Sequence, residues 1–252
     1  MSETPPSEPP TPQPTPAPAP ARGVEIDCLC LYPAQPREKL RGVLEECAAP
    51  AGFRALKAID EILLNSMMEW LLPGERCMAA SNAVADWQLI YDTDFSHAAL
   101  ANALSNALPE CLIVQFNLQE QYDFTLRVLR DDNALYEYSN SPSFFNWGRC
   151  LGQAEATRIQ RPDAPALAQA VGQPAATETL ADFFSMLEKA VQKRPAASTK
   201  KTKRNRTVYD AVQSLARNLG MPKPYRFFEG WMRSDLDWAE DNIVDVLALR
   251  QG

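Results

Sequence analysis

The distribution of glycine is the feature that most limits what this chain can fold into. The 252 residues include ten glycines, and none lies between Glu75 and Trp147. Loops that cradle phosphates need glycine for its positive φ angles and for close approach of the backbone to the ligand. Neither GxGxxG nor GxxxxGK[ST] occurs anywhere in the sequence. The sequence therefore excludes the glycine-rich phosphate loops of common nucleotide-binding proteins.

Proline, in contrast, is concentrated in the first twenty residues. Nine of the 21 prolines lie between Pro5 and Pro20, and every second residue from Pro12 to Pro20 is a proline. Because proline fixes φ and favours an extended polyproline II chain, we expect residues 1–22 to form a disordered spacer. The segment Pro6–Pro9 also fits the PxxP pattern that SH3 domains bind, so a peptide ligand is the alternative.

Charge is unevenly distributed along the chain. The net charge is −7, yet the stretch from residue 189 to residue 206 holds eight basic residues and no acidic one. These eight are Lys189, Lys193, Arg194, Lys200, Lys201, Lys203, Arg204 and Arg206. Subtracting their charge of +8 from −7 leaves −15 for the rest. The sequence predicts an acidic body that carries one basic segment, residues 189–206.

Three interpretations of the basic segment remain open. Residues 193–206 are predicted to be a solvated linker, which could also contact the acidic body. In the second interpretation the segment binds nucleic-acid phosphates and releases their counterions, through Lys200, Lys201, Lys203, Arg204 and Arg206. No aromatic residue lies among these charges, so base stacking is not expected. In the third, Lys200–Lys203 is an import signal, which applies only in a eukaryotic cell.

The sequence gives no indication of export or of membrane insertion. The first twenty residues have neither a basic start nor an apolar core, so we expect no secretory signal. No run approaches the ~18 apolar residues of a spanning helix. Six cysteines are scattered through apolar segments, which favours free thiols over disulfides. We expect a cytoplasmic protein with no membrane partner, nuclear only in a eukaryotic host.

Hydrophobic periodicity predicts an α/β (or, more strictly, α+β) fold. The predicted strands are at residues 24–32, 86–91, 111–116, 124–129 and 134–138, and the predicted helices at 37–47, 54–72, 94–108, 164–171, 179–192, 207–219 and 234–250. The strand-helix-strand unit at 86–116 is expected to give a parallel pair through a right-handed crossover. The hairpin at 124–138 adds antiparallel strands. We therefore expect a mixed sheet of about five strands with helices packed on it.

Two helix ends carry strong local signals. Gly220 stands just past the helix that opens at Thr207, with Pro222 beyond it. Ser234 is the expected N-cap of the last helix, with Asp237 three residues on. The predicted sections are a spacer at 1–22, a β-α-α section at 23–84, a mixed α/β core at 85–192, the basic linker at 193–206 and a C-terminal helical section, packing on the core, at 207–252.

A few residues could carry chemistry. Asp92 and Asp94 follow a strand and could bind Mg²⁺, but Asp94 is also placed to cap the next helix, which would leave Asp92 a solvated strand-end residue. His97, the one histidine, is expected on a helix surface. Cys28 and Cys30 share a strand face and lack the second pair that zinc needs, so buried thiols are expected. We predict no catalytic residue, metal or cofactor.

One loop is unusually aromatic. Five aromatic side chains fall within twelve residues: Tyr136, Tyr138, Phe144, Phe145 and Trp147. Some are expected to plug the core beneath the loop. Aromatic residues left exposed would form an anchor for a partner protein, because such side chains dominate binding at interfaces. Both roles remain open from the sequence.

Three pieces of the sequence together resemble an uncharacterised bacterial α/β domain family. They are the strand Trp87–Asp92, the hairpin end Tyr136–Phe145 and the segment Leu219–Phe228. The resemblance spans about residues 85–228. This chain has Tyr138-Ser-Asn where the family order is Tyr-Asn-Ser. The resemblance implies a cytosolic α/β module and brings no catalytic residues with it.

The leading hypothesis for function is a non-enzymatic interaction or regulatory module in the cytosol, with a protein partner. Its proline-rich and basic segments would tune encounters with that partner. The alternative is a nucleic-acid-associated protein that contacts phosphates through residues 189–206. An enzyme built around Asp92 and Asp94 is a third and weaker hypothesis.

Overall fold

The computed structural model describes residues 24–56, 74–92, 97–119, 123–140, 157–192, 208–222 and 243–251. The predictions for the spacer at 1–22, for residues 193–206 of the basic segment and for residues 141–147 of the aromatic loop lie outside these ranges. No helix among the described residues is long and apolar enough to cross a membrane.

The described strands form one eight-stranded sheet in which every neighbouring pair is antiparallel. In chain order they are β1 Val24–Tyr32, β2 Phe53–Ala55, β3 Glu75–Ser81, β4 Gln88–Asp92, β5 Leu112–Gln119, β6 Asp123–Arg130, β7 Asn133–Ser139 and β8 Ile243–Gln251. Across the sheet the order is β2-β8-β3-β4-β1-β5-β6-β7. The predicted sections 23–84, 85–192 and 207–252 therefore all supply strands to the same sheet.

Helices pack on both faces of the sheet. They are α1 Arg37–Ala48, α2 His97–Ala107, α3 Ala164–Ala170, α4 Thr177–Gln192 and α5 Val208–Asn218. The first face carries α1 and α2, and the second face carries α3, α4 and α5. Each face has its own hydrophobic core, the first core on the first face and the second core on the second face. Successive residues of a strand point to opposite faces, so Leu29 packs in the first core while Cys28 and Cys30 pack in the second core. The α+β class is confirmed as a three-layer arrangement.

The prediction of a mixed sheet of about five strands is wrong in two respects. Within the described ranges the sheet has eight strands, and β4 and β5 are not neighbours, because β1 lies between them. Leu29 of β1 pairs with Ile90 on one side and with Gln115 on the other. Strands β4 and β5 do run in the same direction, as a helical crossover requires. The crossover rule fixes their direction but leaves room for a third strand between them.

The predicted helix over 234–250 is also wrong in its described part, because residues 243–251 form the strand β8. This strand lies between β2 and β3 and pairs Leu247 with Met78. The spacing of its apolar residues fits a helix, but the run is rich in β-branched residues, which favour a pleated strand. Pairing with β3, a distant strand that periodicity did not predict, makes residues 243–251 a strand rather than a helix.

The predicted helix over 54–72 meets a similar correction at its start. Residues Phe53–Ala55 are the edge strand β2, which pairs with β8. Residues 57–73 lie outside the described ranges. The other predicted strands and the predicted helices α1 to α5 are confirmed to within a few residues at their ends.

The hairpin between β6 and β7 shows why its turn could be predicted from local sequence. Asp131 and Asp132 have φ angles of 50° and 57°, the left-handed values that a two-residue turn between antiparallel strands requires. Aspartate tolerates this region better than most residues. The backbone N–H of Asp132 also donates to Ser105 Oγ of α2 at 3.0 Å, so the turn is fixed to the first face.

Helix α5 ends at the predicted glycine. Gly220 has a φ of 69°. Its N–H donates to the carbonyl of Arg217 at 3.1 Å, and the next N–H, that of Met221, donates to the carbonyl of Ala216 at 2.8 Å. These two bonds form a Schellman cap, which satisfies carbonyls that the helix leaves open.

Alanine substitutions at two glycines should therefore act in opposite directions. We expect Gly220→Ala to lower the free energy of unfolding by about 1–2 kcal/mol, the cost of a left-handed alanine. Gly42→Ala, inside α1, should raise it by about 0.5–1 kcal/mol. A Cβ at either position meets no atom within 4 Å, so backbone conformation alone sets the sign. Urea denaturation measures both, and the same sign at both sites would contradict this reading.

Candidate functional site

Buried polar side chains gather on the first face, where β1, β5, β6 and β7 lie side by side. The backbone register places four of them in one row, Asp27, Asn117, Thr125 and Ser139. The neighbouring row holds Gln115, Arg127 and Glu137. We call these seven residues the polar cluster. Apart from the half-buried Glu137, all are buried.

Arg127 is the centre of the second row. Its Nε donates to Glu137 Oε1 at 3.1 Å, and its Nη1 donates to Gln115 Oε1 at 3.4 Å. Its Nη2 donates to Asn102 Oδ1 of α2 at 3.1 Å. Glu137 also accepts from Arg158 at 3.3 Å. One guanidinium thus ties three strands and a helix together, which fixes the geometry of this part of the sheet.

The first row contains an acceptor that lacks a donor. Thr125 Oγ1 donates to Ser139 Oγ at 3.2 Å. Beside it, Asn117 is only 4% exposed, and its Oδ1 has no hydrogen-bond partner. Buried acceptors without a donor are rare, because desolvation is then not compensated. The burial of Asn117 Oδ1 without a donor is therefore the feature of the polar cluster that needs an explanation.

The polar cluster lies at the end of the sheet where β4, β5 and β7 finish and where β1 and β6 begin. Continuing the register of β1 with β4 by two residues places Asp92 beside Asp27 on the same face. The aromatic loop leaves the sheet at this same end, because β7 ends at Ser139, directly after Tyr138. Two separate candidates from the sequence, the carboxylates after β4 and the aromatic loop, thus come from one end of one sheet.

Asp92 is buried and paired, and so is not the solvated strand-end residue that was one expectation. It is 2% exposed and forms an ion pair with Arg76 of β3, in which Arg76 Nε donates to Oδ1 at 2.8 Å and Nη2 donates to Oδ2. The guanidinium of Arg76 also lies 5.4 Å from the ring centre of Phe53. Asp94 lies outside the described residues. Within those residues, no three His, Cys, Asp or Glu are placed to hold a metal ion.

Two of the five aromatic residues of the predicted partner surface are described, and both lie in the second core. Tyr136 accepts at its hydroxyl from the N–H of Asp163 at 3.3 Å. Tyr138 contacts Phe184 edge-on, with ring centres 5.1 Å apart, and burial raises the pKa of Tyr138 to about 12. These two rings plug the core. Phe144, Phe145 and Trp147 lie outside the described residues.

The five basic residues proposed for nucleic acid lie outside the described ranges, but both ends of their segment are fixed. The segment leaves the end of α4 at Gln192 and returns at Val208, where α5 begins. Helices α4 and α5 pack on each other in the second-face layer. Both ends of the segment therefore belong to that layer, on the side of the sheet opposite the polar cluster.

The described cysteines are free thiols. They are Cys28, Cys30, Cys47, Cys77 and Cys111. Burial raises the pKa of Cys77 to about 12 and the pKa values of Cys47 and Cys111 to about 11. A hydrogen bond with Cys30, followed by burial, raises the pKa of Cys28. Since the thiolate is the nucleophile, these raised pKa values keep the four side chains mainly as thiols near neutral pH.

The polar cluster was not predicted, although the sequence holds a signal for it. In Val114–Gln119 and Phe124–Val128 polar and apolar residues alternate, which predicts strands whose two faces differ. The polar face only becomes a cluster once the hairpin sets Asn117 against Thr125. Asp27 joins the cluster from β1, and it lies 90 residues before Asn117 in the sequence.

His97, which the sequence predicts on a helix surface, is the first residue of α2.

Comparison with known proteins gives no relative from which to transfer a role. No family model, curated protein or solved structure matches the chain.

Proposed function

We propose that this protein is a non-enzymatic interaction module. The observation that carries the proposal is that the buried charged side chains of Arg76, Asp92 and Arg127 are engaged in bonds between strands and with α2. Arg76 and Asp92 neutralise each other across β3 and β4, and Arg127 joins three strands to α2. Catalytic groups need instead a pKa matched to proton transfer and a position facing the substrate.

The thiols support a cytosolic location for such a module. Five described cysteines remain unpaired within one chain, and their burial makes them stable as thiols. Proteins that work in oxidising compartments commonly convert such residues into disulfides.

The aromatic loop is the proposed partner-binding segment. Tyr136 and Tyr138 are fixed in the second core, so the loop that follows Ser139 starts from a rigid point beside the polar cluster. With those two rings in the core, Phe144, Phe145 and Trp147 are the remaining candidates for anchors. Aromatic anchors on a rigid base bind well because little conformational freedom is lost on binding.

Co-purification from native cell extract tests this proposal. We expect a partner retained by the full chain to be lost with Phe144→Ala and with Trp147→Ala, while thermal unfolding is unchanged. Leu135→Ala is the matched control, because Leu135 is 44% exposed and lies on β7 towards the opposite end of the sheet. If all three variants retain the same proteins, or if nothing is retained above a tag-only control, the loop is not the partner-binding segment.

Nucleic-acid binding is the second candidate, favoured by the fixed ends of the basic segment. Gln192 and Val208, between which the five basic residues fall in the sequence, lie in helices that pack on each other. If five phosphates are contacted on duplex DNA, affinity should fall roughly 500-fold between ~50 and ~200 mM salt. Changing Lys200, Lys201, Lys203, Arg204 and Arg206 to Gln should abolish retention at the lower salt.

The matched control for that experiment changes exposed basic residues elsewhere. Arg130, Arg161 and Arg217 are exposed on other parts of the body, and their change to Gln should leave DNA retention nearly intact. No retention of the unmodified protein at ~50 mM salt would eliminate the nucleic-acid candidate. Equal losses in both sets would point to net charge rather than to the basic segment.

A further inference from the structure

Two exposed hydrophobic side chains lie together at the end of the sheet opposite the polar cluster. Among the described residues, four large hydrophobic side chains are exposed: Tyr32, Val84, Leu135 and Met186. Tyr32, the last residue of β1, is 39% exposed, and Val84, between β3 and β4, is 50% exposed. Trp87 joins these two, because its ring centre lies 4.9 Å from that of Tyr32 and its backbone pairs with Val84. We call Tyr32, Val84 and Trp87 the Tyr32 platform.

The backbone around the Tyr32 platform is fixed by hydrogen bonds. Val84 and Trp87 exchange two backbone bonds, at 2.8 and 2.9 Å, around a turn formed by Ala85 and Asp86. The two turn residues have φ angles of 48° and 65°, the left-handed values that such a turn requires. The N–H of Ala34, just past the end of β1, donates to the carbonyl of Asp86 at 2.6 Å. The platform is therefore formed in advance, so a ligand does not have to order it.

An exposed aromatic ring on a rigid base is a surface suited to proline. A polyproline II segment has no internal hydrogen bonds, and aromatic-lined surfaces bind it because the segment loses little conformational freedom. The hydroxyl of Tyr32 adds a donor for the open carbonyls of such a segment. Ala83 and Ala85, which flank Val84, are also exposed and extend the apolar surface.

This chain carries a proline-rich segment of its own. Residues Pro5–Pro14 hold six prolines in ten residues, and the other four side chains are polar. Proline rings therefore supply the apolar surface that this segment can bury. A tethered segment is present at an effective concentration on the order of millimolar, whatever the protein concentration. That advantage favours the chain's own segment over a free one.

The proline-rich segment is long enough to reach the Tyr32 platform. It joins the sheet at Val24, where β1 begins, and Tyr32 lies eight residues along that strand, about 27 Å away at ~3.3 Å per residue. Pro14 precedes Val24 by ten residues, which gives a reach of about 31 Å in polyproline II. Pro5 precedes it by 19 residues, which gives about 59 Å. The extra length allows a path around a helical layer.

We propose that the Tyr32 platform binds the chain's own proline-rich segment, Pro5–Pro14. Proline rings pack on the exposed side of Tyr32 and against Val84, while Trp87 supports the Tyr32 ring from the second core. This site goes beyond the proposed interaction module and does not depend on it, because the aromatic loop leaves the sheet at the other end. A proline-rich segment of another protein has to displace the chain's own segment before it binds the same rings.

Competition by a free peptide tests the proposal. The peptide has the sequence of residues 4–15, and the control peptide has serine in place of each proline. A full-chain variant with the six prolines of Pro5–Pro14 changed to serine leaves the Tyr32 platform open. We expect calorimetric titration to show roughly threefold to tenfold tighter peptide binding to this variant than to the unmodified chain. That ratio follows from a tethered competitor at about 1 mM and a dissociation constant of about 0.1–0.5 mM.

Substitutions in the proline-to-serine variant decide where the peptide binds. Tyr32→Ala should weaken peptide binding by about tenfold, the effect of one aromatic anchor, whereas Tyr32→Phe should retain most of it because the ring remains. Val84→Ser should weaken binding to a smaller extent. Met186→Ala is the matched control, because it removes an exposed hydrophobic side chain from α4, and it should change nothing.

Four results would overturn the proposal. The first is absence of peptide binding to the proline-to-serine variant, and the second is equal peptide affinity for this variant and for the unmodified chain. The third is equal binding of the serine control peptide. The fourth is self-association of the unmodified chain that the proline-to-serine variant lacks, which would assign the segment to a second copy. If Tyr32→Ala does not fold, unchanged binding in Val84→Ser still contradicts the proposal, because Val84 is 50% exposed.

Discussion

Replacing Asp92 with alanine is expected to lower the free energy of unfolding by about 3–5 kcal/mol. The substitution leaves the guanidinium of Arg76, whose side chain is 6% exposed, without the carboxylate that balances it. A buried charge that loses its ion-pair partner keeps its desolvation cost and loses the attraction that offset it. Guanidinium chloride denaturation followed by circular dichroism measures the change.

Two further variants separate loss of the pair from loss of a carboxylate as such. Asp182→Ala on α4 removes an exposed aspartate and should change stability by no more than about 0.5 kcal/mol. The double variant Arg76→Met/Asp92→Leu should recover most of the loss, since apolar residues of similar volume commonly replace a buried pair without cost. An Asp92→Ala protein as stable as the parent would show that the pair contributes little to folding.

This ion pair also shows how far the site could be predicted. Asp92 was visible in the sequence as a carboxylate after a strand, and that placement is confirmed. Its partner Arg76 stands on β3, a strand whose residues do not alternate clearly in hydrophobicity. Because β3 was not predicted, a metal ion or solvent was the expected partner of this carboxylate. The chemistry of Asp92 is set by a contact that only the sheet order creates.

Whether a prediction of the fold succeeds depends in the same way on whether local or long-range contacts decide the structure. Gly220 and the aspartates at 131 and 132 act on their own backbone, and the structures predicted from them are confirmed. Strand β8 depends instead on β3, about 170 residues earlier, and its own spacing suited a helix equally well. The parallel neighbours expected at 86–116 failed for the same reason, because the separating strand β1 lies far upstream in sequence.

Replacing Phe183 with alanine is expected to cost about 3–5 kcal/mol of unfolding free energy. Phe183 lies on the buried face of α4, and its ring meets Phe124 of β6 edge-on with centres 5.9 Å apart and Phe184 at 5.1 Å. Removing the ring leaves a cavity between the helical layer and the sheet. Close-packed interiors relax only partly into such a void, so lost burial and lost contacts add.

A matched position on the same helix makes this expectation specific. Met186 is 39% exposed, so Met186→Ala should cost less than about 1 kcal/mol in the same denaturation experiment. The double variant Phe124→Ala/Phe183→Ala should be less destabilised than the sum of its single variants, because each ring has the other as a partner. Strict additivity would mean that α4 is held by its other apolar contacts. In that case the edge-on ring pair would have no particular role in fixing the second-face layer to the sheet.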